Sequence, residues 1–245
     1  MYRIHNRRST ERNRRYTAEA GVSLILSHPT LEQPLTFEND RINMLVIENR
    51  DQFSKYVCEL NNQSKGEFGN FVLSIDDKCI EMSNLVKVII DPFNLDLNVK
   101  DLLTQVYNRL YKISLDENHY CSMNEHIASM TNCIAELLME ADLDMDFKDC
   151  SMADVIKMFS PKFIPSDDLL TKITDYLDIA SKYSKCRLFV FINLGRYLNS
   201  EKMALLEQHI VYQKYNVLFI ESDWKRISDC ENIVIIDENL CEIRQ

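Results

Sequence analysis

The sequence predicts a mixed α/β fold with a partly parallel sheet interrupted by an inserted helical lobe. Three observations carry this: β-rich apolar runs at both ends of the chain, a strand–helix–strand pattern near the carboxyl end, and a long middle stretch of helical periodicity. The 245 residues suffice for one large domain or a main domain with a smaller lobe, and can bury a substantial core.

Strand-like runs occupy 24–27, 35–37 and 42–47, the last reading I-N-M-L-V-I between polar residues. A helix follows, with Phe53, Tyr56, Val57 and Leu60 at helical spacing, and it ends in the polar, glycine-containing stretch 61–70. Two more strands, 71–75 and 86–90, bracket a turn at Asp76, Asp77 and Lys78, and Asp91-Pro92 stops the second. From Asn98 to about Ser184 the apolar period becomes helical. Asn98 is the expected cap of a helix bearing Val99, Leu102, Leu103, Val106, Leu110 and Ile113, and a second helix carries Ile127, Met130, Ile134, Leu137 and Leu138. A third starts at Ser151, with Asp154 three residues on as in a capping box, and a fourth is opened by Ser166. The pattern then returns to strand 187–193, helix 200–214 and strand 216–221, which is a βαβ unit with a parallel pair. Short strands near 233–236 and 240–243 close the chain. The resulting division is an arginine-rich arm at 1–21, an α/β head from 22–113 and 185–245, and a helical leg at 114–184.

Charge is unevenly distributed. Residues 1–21 hold six arginines against Glu11 and Glu19, a surplus of four, so a chain of net charge −10 carries −14 on the remainder. Such a body repels nucleic acid on average, and phosphate binding requires a local basic surface. No apolar run approaches the roughly 18 residues of a membrane-spanning helix, and no early segment suits a secretory signal, so a cytoplasmic protein is expected. The eight cysteines stand singly, without zinc-ligand spacing, and are expected to be reduced, buried hydrophobes.

A phosphate loop would need G-x-x-x-x-G-K-[ST], and none of the four glycines starts one. Strand 187–193 resembles one that ends in an acidic magnesium ligand in ATPases, but ends here in Asn193. No nucleophile signature occurs, and His209 is expected to be a hydrogen-bonded structural histidine. Glu136, Glu140, Asp142, Asp144, Asp146 and Asp149 crowd the end of a helix, where a hard cation would relieve their repulsion. The EF-hand pattern fails at Phe147 and Ala153, so a solvated acidic turn, a structural cation site and a catalytic metal site all remain open. Cations suited to phosphate occur singly, at Lys78, Arg109, Lys112, Lys172, Lys182 and Arg196; in a symmetric assembly they would recur around an axis.

The stretch F-I-N-L-G-R-Y-L-N-S-E-K-M-A-L-L-E-Q-H-I followed by N-V-L-F-I-E resembles the Csn-two-type CRISPR adaptation proteins of type II-A systems. L-x-x-P-L at 31–35, D-x-x-x-x-D-x-N at 91–98, D-L-D-M-D-F at 142–147 and I-I-D-E-N-L at 235–240 support the resemblance. It implies a head similar to a degenerate P-loop ATPase core with a helical leg. It further implies a non-enzymatic homotetrameric ring that threads double-stranded DNA ends, binds structural calcium and supports spacer acquisition beside the CRISPR integrase complex and the RNA-guided nuclease. The family's cation-binding segment corresponds to Asp142, Asp144, Asp146 and Asp149, with Glu140 beside it. Its basic turn corresponds to Lys78, with Arg196, Arg109, Lys112 and Lys172 as further candidate DNA contacts. The alternatives are a divalent-metal-dependent nuclease or phosphatase using the 142–149 carboxylates, and an ATPase-like scaffold indifferent to DNA.

Overall fold

The computed structural model describes residues 24–38, 41–146, 148–223 and 231–245. The arginine-rich arm and Phe147 lie outside them.

Among the described residues ten strands form two sheets. In the main sheet the order is β10 (Glu242–Arg244), β9 (Glu231–Ile236), β3 (Ile42–Ile47), β8 (Val217–Glu221), β7 (Leu188–Ile192) and β6 (Val86–Ile89). The five strands from β9 to β6 run parallel, and β10 turns back antiparallel on β9. Strands from both ends of the chain therefore share one sheet. The smaller sheet is antiparallel, in the order β2 (Leu35–Phe37), β1 (Leu24–Ser27), β4 (Val72–Ile75) and β5 (Lys78–Ile80).

The central strands are buried on both faces, as a parallel sheet with two covers requires. Alternate residues sort between two cores. Leu45, Leu188, Val190, Leu218, Ile220 and Val234 face the small sheet and α1 (Arg50–Gln63). Met44, Phe189, Phe191, Phe219 and Ile233 face α5 (Leu169–Tyr183) and α6 (Ser200–Gln213). α5 falls within the span expected as a leg, yet its Ile173, Tyr176, Leu177 and Ala180 are buried in this second core. Asp178 ties the two covering helices together, accepting from His209 at 2.7 Å and from the Tyr215 hydroxyl at 2.8 Å. His209 is thus a hydrogen-bonded structural residue, as its place on the helix predicts.

Three helices remain: α2 (Lys100–Ser114), α3 (Glu117–Glu140) and α4 (Met152–Phe159). α2 packs on α3, α4 and α5. The Ser151–Asp154 capping box is present at the start of α4. Asn98 is not the cap of α2, whose N-cap is Val99 without a side-chain bond. Asn98 instead clamps Phe163, donating to its carbonyl at 3.1 Å and accepting from its N–H at 2.9 Å. α5 is likewise capped by Asp168, not Ser166.

The sequence pattern missed β5. Asp76 and Asp77 are both left-handed, at φ 49° and 60°, which makes a two-residue turn whose twist suits a hairpin, and Lys78 pairs across it with Ile75. The cysteines also depart from expectation: among those described only Cys186 is buried, while Cys58, Cys79, Cys121, Cys133, Cys150 and Cys241 are exposed. All seven are free thiols. Among the described residues no helix is long and apolar enough to cross a membrane.

Two buried polar devices hold the small sheet to α1. The Gln63 amide donates to the Phe71 carbonyl at 2.9 Å and accepts from the Phe71 N–H at 3.0 Å, acting as a strand partner. In the second, Tyr56, Thr30 and His28 form a hydrogen-bonded chain, and His28 Nε2 ends 3.4 Å from Glu59. The Thr30 N–H reaches His28 Nδ1 at 3.2 Å, which places the neutral ring's proton on Nε2. Burial holds the His28 pKa below its ordinary 6.5, against the opposing pull of Glu59.

Two expectations follow. A Cβ at Gly69 would sit 2.5 Å from Gln63 Oε1, so Gly69→Ala displaces the clamp and strands the buried Phe71 amide. Urea denaturation should show a loss of about 1–3 kcal/mol. For His28, the unfolded state binds the proton more readily than the folded one. Its contribution is complete above pH 6.5 and declines as pH falls from there through the depressed folded-state value. His28→Gln should flatten that part of the stability profile between pH 7 and 5.

Candidate functional site

The sequence-predicted cations fall into three structural situations. Lys78 is exposed at the start of β5, beside the Asp76–Asp77 turn. Lys172 and Arg196 are engaged: Lys172 Nζ donates to the Phe93 carbonyl at 3.0 Å, and Arg196 donates to Ser222 at 2.7 Å and Asp223 at 3.0 Å. Lys172 therefore staples the 3-10 turn Pro92–Asn94 to α5, and Arg196 joins the turn after β7 to the end of β8.

Arg109 and Lys112 are brought together with cations from elsewhere. Both line a cleft of about 930 Å³ between α2, the carboxyl end of α5 and the starts of β6 and β7. Lys182, Lys185 and Lys87 line the same cleft. Asp101 is the single carboxylate among its lining residues, so five cations face one anion in a chain whose acids outnumber its bases 38 to 28. The five are exposed, and no ion pair engages them among the described residues. Lys182 Nζ lies 5.4 Å from the centre of the Tyr183 ring, an arrangement that holds a cation by the ring's negative face. Periodicity places Arg109 and Lys112 on one helix, three residues apart. Lys87 and Lys185, invisible to that pattern, join them because β6 is an edge strand beside β7.

The acidic residues are not gathered in the same way. Glu140 ends α3, and Asp142, Asp144, Asp146 and Asp149 follow on an exposed irregular segment. Asp142 takes a left-handed φ of 53° as the chain leaves the helix. Among the described residues no group of three or more His, Cys, Asp or Glu is placed to share a metal ion.

At the carboxyl ends of the parallel strands, where α/β proteins commonly bind nucleotides, the connections after β3 and β7 are occupied by their own hydrogen bonds. β3 and α1 are joined by Glu48 and Asn49, and the Asn49 side chain accepts from Gln52 as the helix cap. A connection this short offers no run of free amides to wrap a phosphate. Asn193, at φ 51°, accepts the Ser222 N–H at 2.9 Å, and Glu221 accepts the Gly195 N–H at 3.0 Å.

A further surface was only half legible. α3 has no buried residue in 24 positions. Its inner side, with Met123, Ile127 and Leu138, is half-buried, while Met130, Ile134 and Leu137 are 55%, 47% and 60% exposed. These three recur at i, i+4 and i+7, and so form one apolar strip along the helix.

A family model described as CRISPR-associated protein (Cas_Csn2) matches residues 63–240. The CRISPR-associated protein Csn2 of Streptococcus agalactiae is 26% identical over 214 residues, covering 86% of this chain and 93% of that protein. The Csn2 of Enterococcus faecalis is 25% identical over 211 residues, covering 85% and 93%. Among solved structures, Stu0660 of Streptococcus thermophilus aligns with a TM-score of 0.49 at 13% identity, covering 88% of this chain and 75% of that one. A nucleotide-free ATP-binding cassette from an ABC transporter aligns with a TM-score of 0.45 at 10% identity, covering 91% and 90%.

Proposed function

The chain belongs to the Csn2 family of CRISPR-associated proteins, and from that premise we propose that it is a non-catalytic, self-assembling protein that binds double-stranded DNA ends during spacer acquisition. The exposed apolar strip of α3 carries this reading. A helix that buries no residue fully, yet keeps Met130, Ile134 and Leu137 in register on its exposed side, is stabilised when those side chains meet a second copy. Assembly also answers the charge objection, since it repeats Lys78, Arg109 and Lys112 around an axis while the acidic surface stays outside. Contacts to phosphate alone make such binding independent of sequence and steeply dependent on salt. Lys172 and Arg196 enter this interface second, because each already has a partner within the subunit. The integrase complex and the RNA-guided nuclease are the partners this reading assigns.

Calcium belongs to the same proposal as an assembly effector. Ion binding there would draw three or more of these carboxylates together, since no such group is assembled among the described residues.

Light scattering on the purified chain, with and without calcium, should show a tetramer. Met130→Glu combined with Leu137→Glu should reduce it to smaller species without loss of helical signal, and a wild-type chain that stays monomeric throughout would refute the assembly. Lys78→Glu should weaken retention of linear duplex in a shift assay by roughly tenfold, about 1.4 kcal/mol, with assembly unchanged. Equal retention of linear and closed-circular DNA would contradict end binding.

A further inference from the structure

We propose that the cleft between α2, α5 and the starts of β6 and β7 is a binding site for a nucleotide-sized polyphosphate, separate from the Lys78 turn of the surface that meets duplex DNA. The first support is charge. Lys87, Arg109, Lys112, Lys182 and Lys185 converge on one cleft from four parts of the fold, with Asp101 alone opposing them. Like charges so placed repel one another, and no ion pair relieves them among the described residues. Lys112 and Lys182 sit in the last turns of α2 and α5, where the carboxyl end of a helix itself attracts a cation. Lys87, Arg109 and Lys185 have no such local reason to be there.

Size selects the ligand. At about 930 Å³ the cleft is as large as a small-molecule site, which typically spans about 300–1,000 Å³. A compact ligand must therefore supply several negative charges in a small volume, and a string of esterified phosphates does so. Lysine and arginine both suit phosphate oxygens, and the Asn108 and Gln105 side-chain amides offer further donors along the α2 wall.

The position is also informative. Asn84, Val86 and Lys87 lead into and begin β6, while Lys185 and Cys186 lead into β7. The cleft thus lies at the amino ends of the parallel strands, opposite the end where the ATPase-like topology would place a nucleotide. It is no remnant of a phosphate loop. Arg109 and Lys112 are shared with the duplex reading, so the two ligands would compete at the rim.

Isothermal titration and thermal melting of the intact chain at low salt test this, using ATP, inorganic tripolyphosphate and a 5′-phosphorylated single-stranded oligonucleotide as probes. ATP and tripolyphosphate should bind and raise the melting temperature. Affinity for both should fall at least roughly tenfold in Lys112→Glu with Lys182→Glu. The neutral pair Lys87→Gln with Lys185→Gln, which touches no helix end, should lose binding yet melt at or above the wild-type temperature, because it removes repulsion in the empty cleft. A neutral pair that melts lower would assign the cations a structural role and overturn the site. So would absence of ATP and tripolyphosphate binding at millimolar concentration, binding that persists in both variants, or binding of the oligonucleotide alone. Duplex retention is measured separately through Lys78→Glu, so failure of either reading leaves the other standing.

Discussion

The main sheet is buried on both faces, and the rest of the fold is arranged around that constraint. A parallel sheet whose central strands are buried at every position needs two covers. The chain supplies α1 with the small antiparallel sheet on one side and α5 with α6 on the other. Each residue of β7 and β8 is buried, and neighbouring residues belong to opposite cores. A slip of one residue in either strand would exchange the two cores, so register is strongly held.

With both covers in place, α2, α3 and α4 have no sheet surface left to occupy. α2 leans on α5, α4 packs on α2, and α3 lies outermost without a buried residue. That position leaves the apolar strip of α3 open. The same arrangement sets α2 off from the sheet edge far enough to leave a cleft, and the edge strand β6 contributes Lys87 to it. The apolar surface and the cationic cleft thus share one origin, the incomplete packing of the inserted helices against the sandwich. Crowded like charges and exposed apolar side chains both cost stability in an isolated subunit, and such costs concentrate where a partner or ligand binds.

Polar detail inside the sandwich is specific. Asn43 is buried at 2% exposure and opposes Asn232 across the β3–β9 pair, where the Asn232 amide donates at 3.0 Å. A buried amide with its partner on one adjacent strand discriminates against other pairings, since any shift leaves both groups unpaired. The Gln63 clamp on Phe71 and the Asp178 bridge between α5 and α6 act similarly in the two covers. Each joins elements whose apolar contacts alone would tolerate sliding.

The sequence by itself determined the strands β3, β7 and β8, the parallel pairing of the last two, the helices and the capping box of α4, because each leaves a signal within a few residues. It also showed that the phosphate-loop pattern is absent and that the chain resembles a CRISPR family. Only the tertiary structure decided that α5 covers the sheet, that Asn98 clamps Phe163 instead of capping α2, that most described cysteines are exposed, and that Lys87 and Lys185 join Arg109 and Lys112. The physical reason is separation along the chain. Periodicity reports which side of an element is apolar, whereas the neighbour that meets it, and the charges gathered beside it, depend on strand order and on contacts between residues scores of positions apart.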